Sequence, residues 1–285
     1  MANSDEELNR LINSEERFFS KINERVRGVS EADLIRWRSE TVQERRNRIS
    51  LELYRLVNGV VKYGPFKGMK LVRETWWGES DLGSQCLGLY EMEILNFLKE
   101  VERDDYKSFI DIGAADGYYA IGMLVSGKVS KCICYEKSET GRRVIMENWK
   151  ANGSLGELKI YPEANFKGIS SLDPVVLNKS LVLIDIEGAE FELLDEMLLY
   201  ILRKSTLILE VHNWVKNFED LYVNLLERAN KFFDIEVIEH LDRPINQIFE
   251  LQELSDDNRN LLVSEGRPSL MRFLKLIPKE HDSSD

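Results

Sequence analysis

The 285-residue chain carries only three cysteines, three histidines and six prolines. Cys86, Cys132 and Cys134 are odd in number and cannot all pair within the chain, so a reducing compartment, the cytoplasm, is expected. With no CxxC and so few histidines, a structural zinc site is not expected. No apolar run approaches the ~18–20 residues that cross a bilayer, so no membrane span is expected. The opening segment MANSDEELNR is acidic and polar, unlike a secretory leader. Basic charge is scarce as well: 38 Lys and Arg face 50 Asp and Glu, for a net charge of −12. A general nucleic-acid binder needs a basic face for phosphates, which makes nucleic acid an unfavoured partner. What the chain does have is 43% hydrophobic residues, enough to bury a sizeable core.

Residues 1–60 form a distinct stretch. They hold eleven acidic and eleven basic residues, so the whole net charge belongs to residues 61–285. Apolar residues at helical spacing (Leu8, Leu11, Ile12, Phe18, Phe19, Ile22, Val26) predict one helix. After Gly28, Ser30 is placed to cap a second that runs through Leu34, Trp37, Ile49, Leu53 and Leu56. The expectation is a helical hairpin packed on the core or on a second copy, as in a homodimer. Arg36, Arg38, Arg45, Arg46 and Arg48 read as a solvated helix face, with an anion-binding patch as the alternative. Residues 61–107 change to glycines and aromatics, including a Trp76-Trp77 loop and an amphipathic helix over 91–101. They suit a substrate-side cover of a domain spanning 61–285.

From residue 108, apolar runs alternate with helical patterns. Strands are expected at 109–112, 132–136, 158–161, 181–186, 206–211, 233–237 and 270–276, with helices at 118–125, 140–152, 191–202 and 218–231. Short apolar strands joined by helices indicate βαβ units. The predicted fold is therefore α/β: a doubly wound, seven-stranded, mostly parallel Rossmann-like sheet. A polar insertion at 240–269 precedes the last strand, which closes an antiparallel hairpin. Ligands bind such sheets beyond the carboxyl ends of the strands.

The segment Phe109-Ile110-Asp111-Ile112-Gly113-Ala114-Ala115-Asp116-Gly117-Tyr118 ends a strand in an acid and enters a helix through a tight turn of small residues. A pyrophosphate-binding GxGxxG turn has no carboxylate at its head. Asp111 would repel a phosphate there and suit an amine, which favours S-adenosylmethionine over NAD as cofactor. Glu136 ends the next strand, nineteen residues after Gly117, where a carboxylate can accept both ribose hydroxyls. Cys132 and Cys134 share one face of that strand and read as core.

These residues carry a resemblance. FIDIGAADGYYAIGML resembles motif I of class I S-adenosylmethionine-dependent methyltransferases. Asp185-Ile186-Glu187-Gly188-Ala189-Glu190 resembles the D-x-E-G-x-E signature of the FkbM-type branch, and Glu210-Val211-His212 the E-x-H strand end that follows it. The resemblance spans roughly 85–240, outside both the N-terminal extension and the late insertion. Ala115 departs from the commoner middle glycine, which alanine tolerates where φ is negative.

The resemblance implies an O-methyltransferase acting on a hydroxyl of a sugar, polysaccharide or natural product. The cofactor residues it implies are Asp111, Gly113, Ala114, Ala115, Asp116, Gly117, Tyr118, Glu136 and Asp185, with Glu163 and Ala164 on the adenine edge. Tyr90 and Glu91, which open the helix before motif I, fall where this fold covers the methionine end. His212 is the candidate general base, Glu210 its orienting partner, and Asp185 and Glu187 complete the catalytic set. In a rival mechanism Asp185 and Glu187, with Glu210 or His212, hold Mg²⁺. For Glu190, capping of the helix start is as good a reading as a site role. Other classes stay open: a non-catalytic oligomerising scaffold of the same fold, an RNA methyltransferase, and an NAD-linked oxidoreductase.

Overall fold

A computed structural model of the chain describes residues 2–23 and 30–279. The turn of the expected N-terminal hairpin, with Val26 and Gly28, lies outside the described residues. The first helix, Ala2–Asn23, leaves Leu8, Leu11, Ile12, Phe18 and Phe19 exposed. The expected second helix is two. Glu31–Ser39 is opened by a capping box between Ser30 and Asp33. Val42–Leu56 is opened by another between Thr41 and Glu44. A second capping box competes with helix continuation at Glu40 and Thr41, and it breaks the pattern that periodicity alone had joined.

Helix Val42–Leu56 is part of the core: Ile49 and Leu53 are buried, and it packs on the short helix Leu82–Leu87 and on helix Asp256–Val263 of the late insertion. Of the five arginines expected on a solvated face, Arg36 and Arg38 are exposed, but the three on this helix are engaged. Arg46 is buried against Asp81, Arg45 bonds Asn258 at 2.7 Å and covers the Trp37 ring, and Arg48 pairs with Glu40 at 2.6 Å.

Seven strands follow: β1 (Ser108–Ile112), β2 (Lys131–Tyr135), β3 (Glu157–Tyr161), β4 (Ser180–Ile184), β5 (Thr206–Val211), β6 (Phe233–Ile238) and β7 (Arg272–Pro278). Their order is β3-β2-β1-β4-β5-β7-β6. Neighbours are parallel except for β7, which runs antiparallel to both β5 and β6. This is the doubly wound Rossmann-like sheet with a terminal hairpin that the sequence predicts. β1, β4 and β5 are buried at every position, as central strands covered on both faces must be. Two apolar clusters fill the two faces. One includes Phe66, Leu95, Phe109 and Ile121; the other includes Ile110, Ile184, Leu199 and Leu209.

Strand order reverses between β1 and β4, so their carboxyl ends open the crevice that such topology reserves for a ligand. The helix expected over 191–202 is interrupted. Asp195 turns its side chain onto the Leu198 N–H at 2.7 Å and starts a new helix, Glu196–Leu202. Among the described residues no helix is long and apolar enough to cross a membrane.

Candidate active site

The turn after β1 is tied to its neighbours by backbone. Gly113 and Ala114 donate to the Tyr135 carbonyl at 2.9 and 3.1 Å, and Asp185 donates to the Ile112 carbonyl at 2.9 Å. Gly113 takes φ +92, and a Cβ there would lie 1.6 Å from the Asp185 carbonyl oxygen. Only glycine lets the β1 turn pass this close to the end of β4. Ala115 also adopts a positive φ, +46, and not the negative one under which alanine was expected to be tolerated. That conformation costs an alanine roughly 1 kcal/mol. It is held by the Ala115 N–H, which donates to Glu136 Oε2 at 2.9 Å.

Asp111 lies near the end of β1, buried, with Oδ2 bonded to nothing among the described residues. Burial first, and the nearby Asp185 carboxylate second, push it up to about 8. Glu136, at the end of β2, accepts from Ala115 and, at 2.6 Å, from Ser138. Its carboxylate thus braces the turn from the side on which ribose hydroxyls were expected. Asp116 is engaged by the Trp loop: it accepts from the Thr75 hydroxyl and from the N–H groups of Trp76 and Trp77, the latter two at 2.8 and 3.4 Å. Tyr118 donates to the Gln85 carbonyl at 3.2 Å, and its ring packs in the core against Phe66 and Tyr90. Ala114 is buried in the turn, whereas Ala164 is half-buried on the opposite apolar cluster. Glu163 is exposed, 3.8 Å from the Lys137 ammonium.

The ends of β4 and β5 bring Asp185, Glu187, Glu210 and His212 together. The imidazole of His212 is buried, 1% exposed, with Nδ1 3.0 Å from Glu190 Oε1. Glu190 also accepts the backbone N–H of His212 at 3.0 Å and that of Gly188 at 2.8 Å. The residue that orients His212 is therefore Glu190, and Glu210 lies on the other edge of the ring. His212 Nε2 stands 3.3 Å from Asp185 Oδ1, 3.7 Å from Glu187 Oε2 and 3.7 Å from Glu210 Oε2. Trp214 meets the ring edge-on, 4.8 Å between centroids. Burial would lower His212, but Asp185, Glu190 and Glu210 outweigh it and raise it to about 10.

Behind this group lies a buried charge cluster. Arg267, from the late insertion, bonds Glu91 Oε1 at 2.9 Å, Glu265 at 2.5 Å and also Glu210. Glu91 in turn accepts from the Tyr119 hydroxyl at 2.6 Å. Burial, joined by their mutual repulsion, raises Glu91 to about 8; burial and the repulsion of Asp185 do the same for Glu210. Sequence reasoning placed Glu91 near the site but missed Arg267. An arginine in a polar insertion, 57 residues from the acid it neutralises, leaves no local pattern to read. Glu91 (φ +42), Ala115 and Glu187 (φ +55) are all non-glycine residues in the left-handed region, and such strain concentrates at functional sites.

No protein-family model matches the chain, and no curated protein does. Solved structures do share its path in part. The Streptococcus thermophilus rRNA methylase is 12% identical, with 65% of this chain and 93% of that one covered and a TM-score of 0.42. The C-terminal domain of Rhodobacter capsulatus precorrin-6Y C5,15-methyltransferase is 14% identical over 66% and 86% of the two chains, TM-score 0.41. Streptococcus pneumoniae Sp1610, solved in complex with S-adenosyl-L-methionine, is 16% identical over 68% and 76%, TM-score 0.41. At this distance they are likenesses of chain path and assign neither a family nor an acceptor to this protein.

Proposed function

We propose that this protein is an S-adenosylmethionine-dependent methyltransferase that acts on a hydroxyl of a sugar, polysaccharide or natural product. One observation carries the reading: Asp111, near the end of β1 and beside a two-glycine turn, has a buried carboxylate oxygen with no partner among the described residues. A buried, unpaired carboxylate oxygen calls for a donor or a cation, and the same acid would repel a phosphate. The donor set fits the cofactor: Asp111 and Asp185 would face its ammonium end, and Glu136 its ribose. When bound, S-adenosylmethionine supplies an electrophilic methyl group on a sulfonium. The chain's own part is to orient the acceptor, to keep the negative field of Asp111 and Asp185 toward the cationic end, and to receive the hydroxyl proton.

Hydroxyl acceptors need a proton removed, and the ends of β4 and β5 present carboxylates, those of Asp185 and Glu187, to receive it. Asp185 and Glu187 carry the exposed edge of that cluster. The pairing of Arg45, Arg46 and Arg48 with neighbours inside the chain favours a small or glycan acceptor over nucleic acid. Three buried, unpaired cysteines suit action in the cytoplasm.

Calorimetric titration with S-adenosylhomocysteine and, separately, NAD tests the reading. Saturable binding of the first but not the second is expected, weakened at least about tenfold, 1.4 kcal/mol, in Asp111→Asn. NAD binding, or unchanged affinity in the variant, would overturn it.

A further inference from the structure

Two acid clusters meet at Asp185. One comprises Glu91, Asp185 and Glu210; the other Asp185, Glu187 and His212; in each, the candidate donor atoms lie within 4.8 Å of one another. The first already holds a cation, because the Arg267 guanidinium bonds both Glu91 and Glu210. The second holds none: among the described residues no lysine or arginine pairs with Asp185 or Glu187. Asp185 Oδ1, which lies 3.3 Å from His212 Nε2, is buried and has no hydrogen-bond partner among the described residues.

We propose that Asp185, Glu187 and His212 Nε2 form a binding site for a first-row divalent metal ion of the Mn²⁺ or Zn²⁺ class. Three features carry this. The donor separations, 3.3 Å and 3.7 Å from Nε2, are close to the roughly 3 Å that donors about 2.1 Å from a shared ion must keep from one another. The imidazole is presented for ligation by its other nitrogen, since Glu190 Oε1 at 3.0 Å holds Nδ1 and fixes which nitrogen faces the carboxylates. Carboxylate-histidine-metal triads are built this way. Finally, the site is half-open: Glu187 is about half exposed while His212 is not, so an ion has both an entry path and room for an acceptor oxygen.

The donor set also decides the class of ion. An all-oxygen donor set would suit Mg²⁺, the ion of the rival mechanism read from the sequence, but an imidazole nitrogen in the set shifts preference toward Mn²⁺, Fe²⁺ and Zn²⁺. Binding exchanges one species for another: the ion takes the Nε2 lone pair, and any proton there leaves to solvent. The role of the ion, lowering the pKa of an acceptor hydroxyl coordinated beside Asp185, rests on the methyltransferase reading; the site itself does not.

The test is titration of chelator-treated full-length protein with Mn²⁺, following loss of the free-ion electron paramagnetic resonance signal. S-adenosylhomocysteine binding is measured by calorimetry on the same samples. One Mn²⁺ per chain is expected, displaced by Zn²⁺ and not by Mg²⁺ at equal concentration. Affinity should fall about 10–100-fold in Glu190→Gln and at least about tenfold in Glu187→Gln. Glu187 is at the surface, and retained nucleoside binding would show that variant to be folded. Absence of saturable Mn²⁺ binding, or equal affinity in Glu187→Gln, overturns the site. Nucleoside binding without Mn²⁺ binding would sink the metal site alone; Mn²⁺ binding without nucleoside binding would sink the proposed function alone.

Discussion

Glu190 Oε1 lies 3.0 Å from His212 Nδ1, joining the turn after β4 to the end of β5 across 22 residues of sequence. The same carboxylate accepts two backbone N–H groups, those of Gly188 and His212. One buried side chain thus fixes a loop, a strand end and an imidazole at once.

Replacing Glu190 by Gln keeps an acceptor but removes the charge opposite His212. A hydrogen bond to a charged group contributes about 1.5–3 kcal/mol, so a loss near the lower end is expected in denaturant unfolding at pH 7. The imidazole, raised from 6.5 to about 10 in the native protein, should fall toward its ordinary value because one of its three charged supports is gone. A group raised on folding contributes stability that is complete below its unfolded value, here 6.5, and lost as pH rises through about 10. The gap between native and variant stability should therefore be widest below pH 6.5 and close toward pH 10. Nitrogen-15 titration of the ring, with unfolding curves at several pH values, checks both. An unmoved histidine titration would mean that Asp185 and Glu210 alone hold the proton.

Arg267 gives the opposite pH signature. It neutralises Glu91 and Glu210, both buried, so Arg267→Met leaves two carboxylates without their cation. Breaking a buried pair from one side typically costs about 3–5 kcal/mol. Both acids are already raised to about 8, and a raised carboxylate costs stability as pH climbs from its unfolded value near 4.5 through its folded one. Without the guanidinium both should rise further. The deficit of the variant should be small near pH 5 and grow toward pH 9. Arg267→Met combined with Glu210→Gln should recover part of it. Urea midpoints across that range decide the matter, and a pH-independent deficit would point to lost packing on Phe273.

The strands and the ends that bear the site were legible because a parallel sheet writes itself locally: five apolar residues, then an acid, then a glycine turn. That pattern located Asp111, Asp185 and His212 and predicted their common crevice. What it could not show is which acid serves which neighbour. Glu190 and Glu210 are both separated from His212 by short stretches of chain or strand, and only the path of the turn after β4 decides that Glu190 reaches Nδ1. Likewise the arginines of 36–48 have the spacing of a solvated face, yet Arg46 is buried because Asp81 arrives from a separate loop. Pairings of this kind depend on tertiary closure, and residue type alone carries no register for them. Ala115 is a third instance: its sequence neighbours did not announce a positive φ, which is set by the reach of Glu136 from β2.

Asp116 links the turn after β1 to the Trp76-Trp77 loop, and this makes a last prediction. Its carboxylate accepts from Thr75, Trp76 and Trp77, while its own carbonyl accepts from Asn148 at 2.9 Å. The turn therefore holds the Trp loop through a side chain and is itself held through backbone. Trp76 is near the acid expected to bind ribose: a Cβ on Gly141 would lie 3.0 Å from the Trp76 ring and 2.8 Å from Glu136 Cγ. Asp116→Ala removes the acceptor for the loop without touching the Asn148 bond, so the sheet should stay folded, with a loss of about 1–3 kcal/mol for the donors left behind. Untethered, the loop must be ordered by the ligand, and that ordering draws on binding energy. S-adenosylhomocysteine affinity should fall about tenfold, and a Trp76→Phe variant should show which indole reports binding by fluorescence. Native affinity in Asp116→Ala would show that the Trp loop stands off the ligand, and that Asp116 only secures the fold.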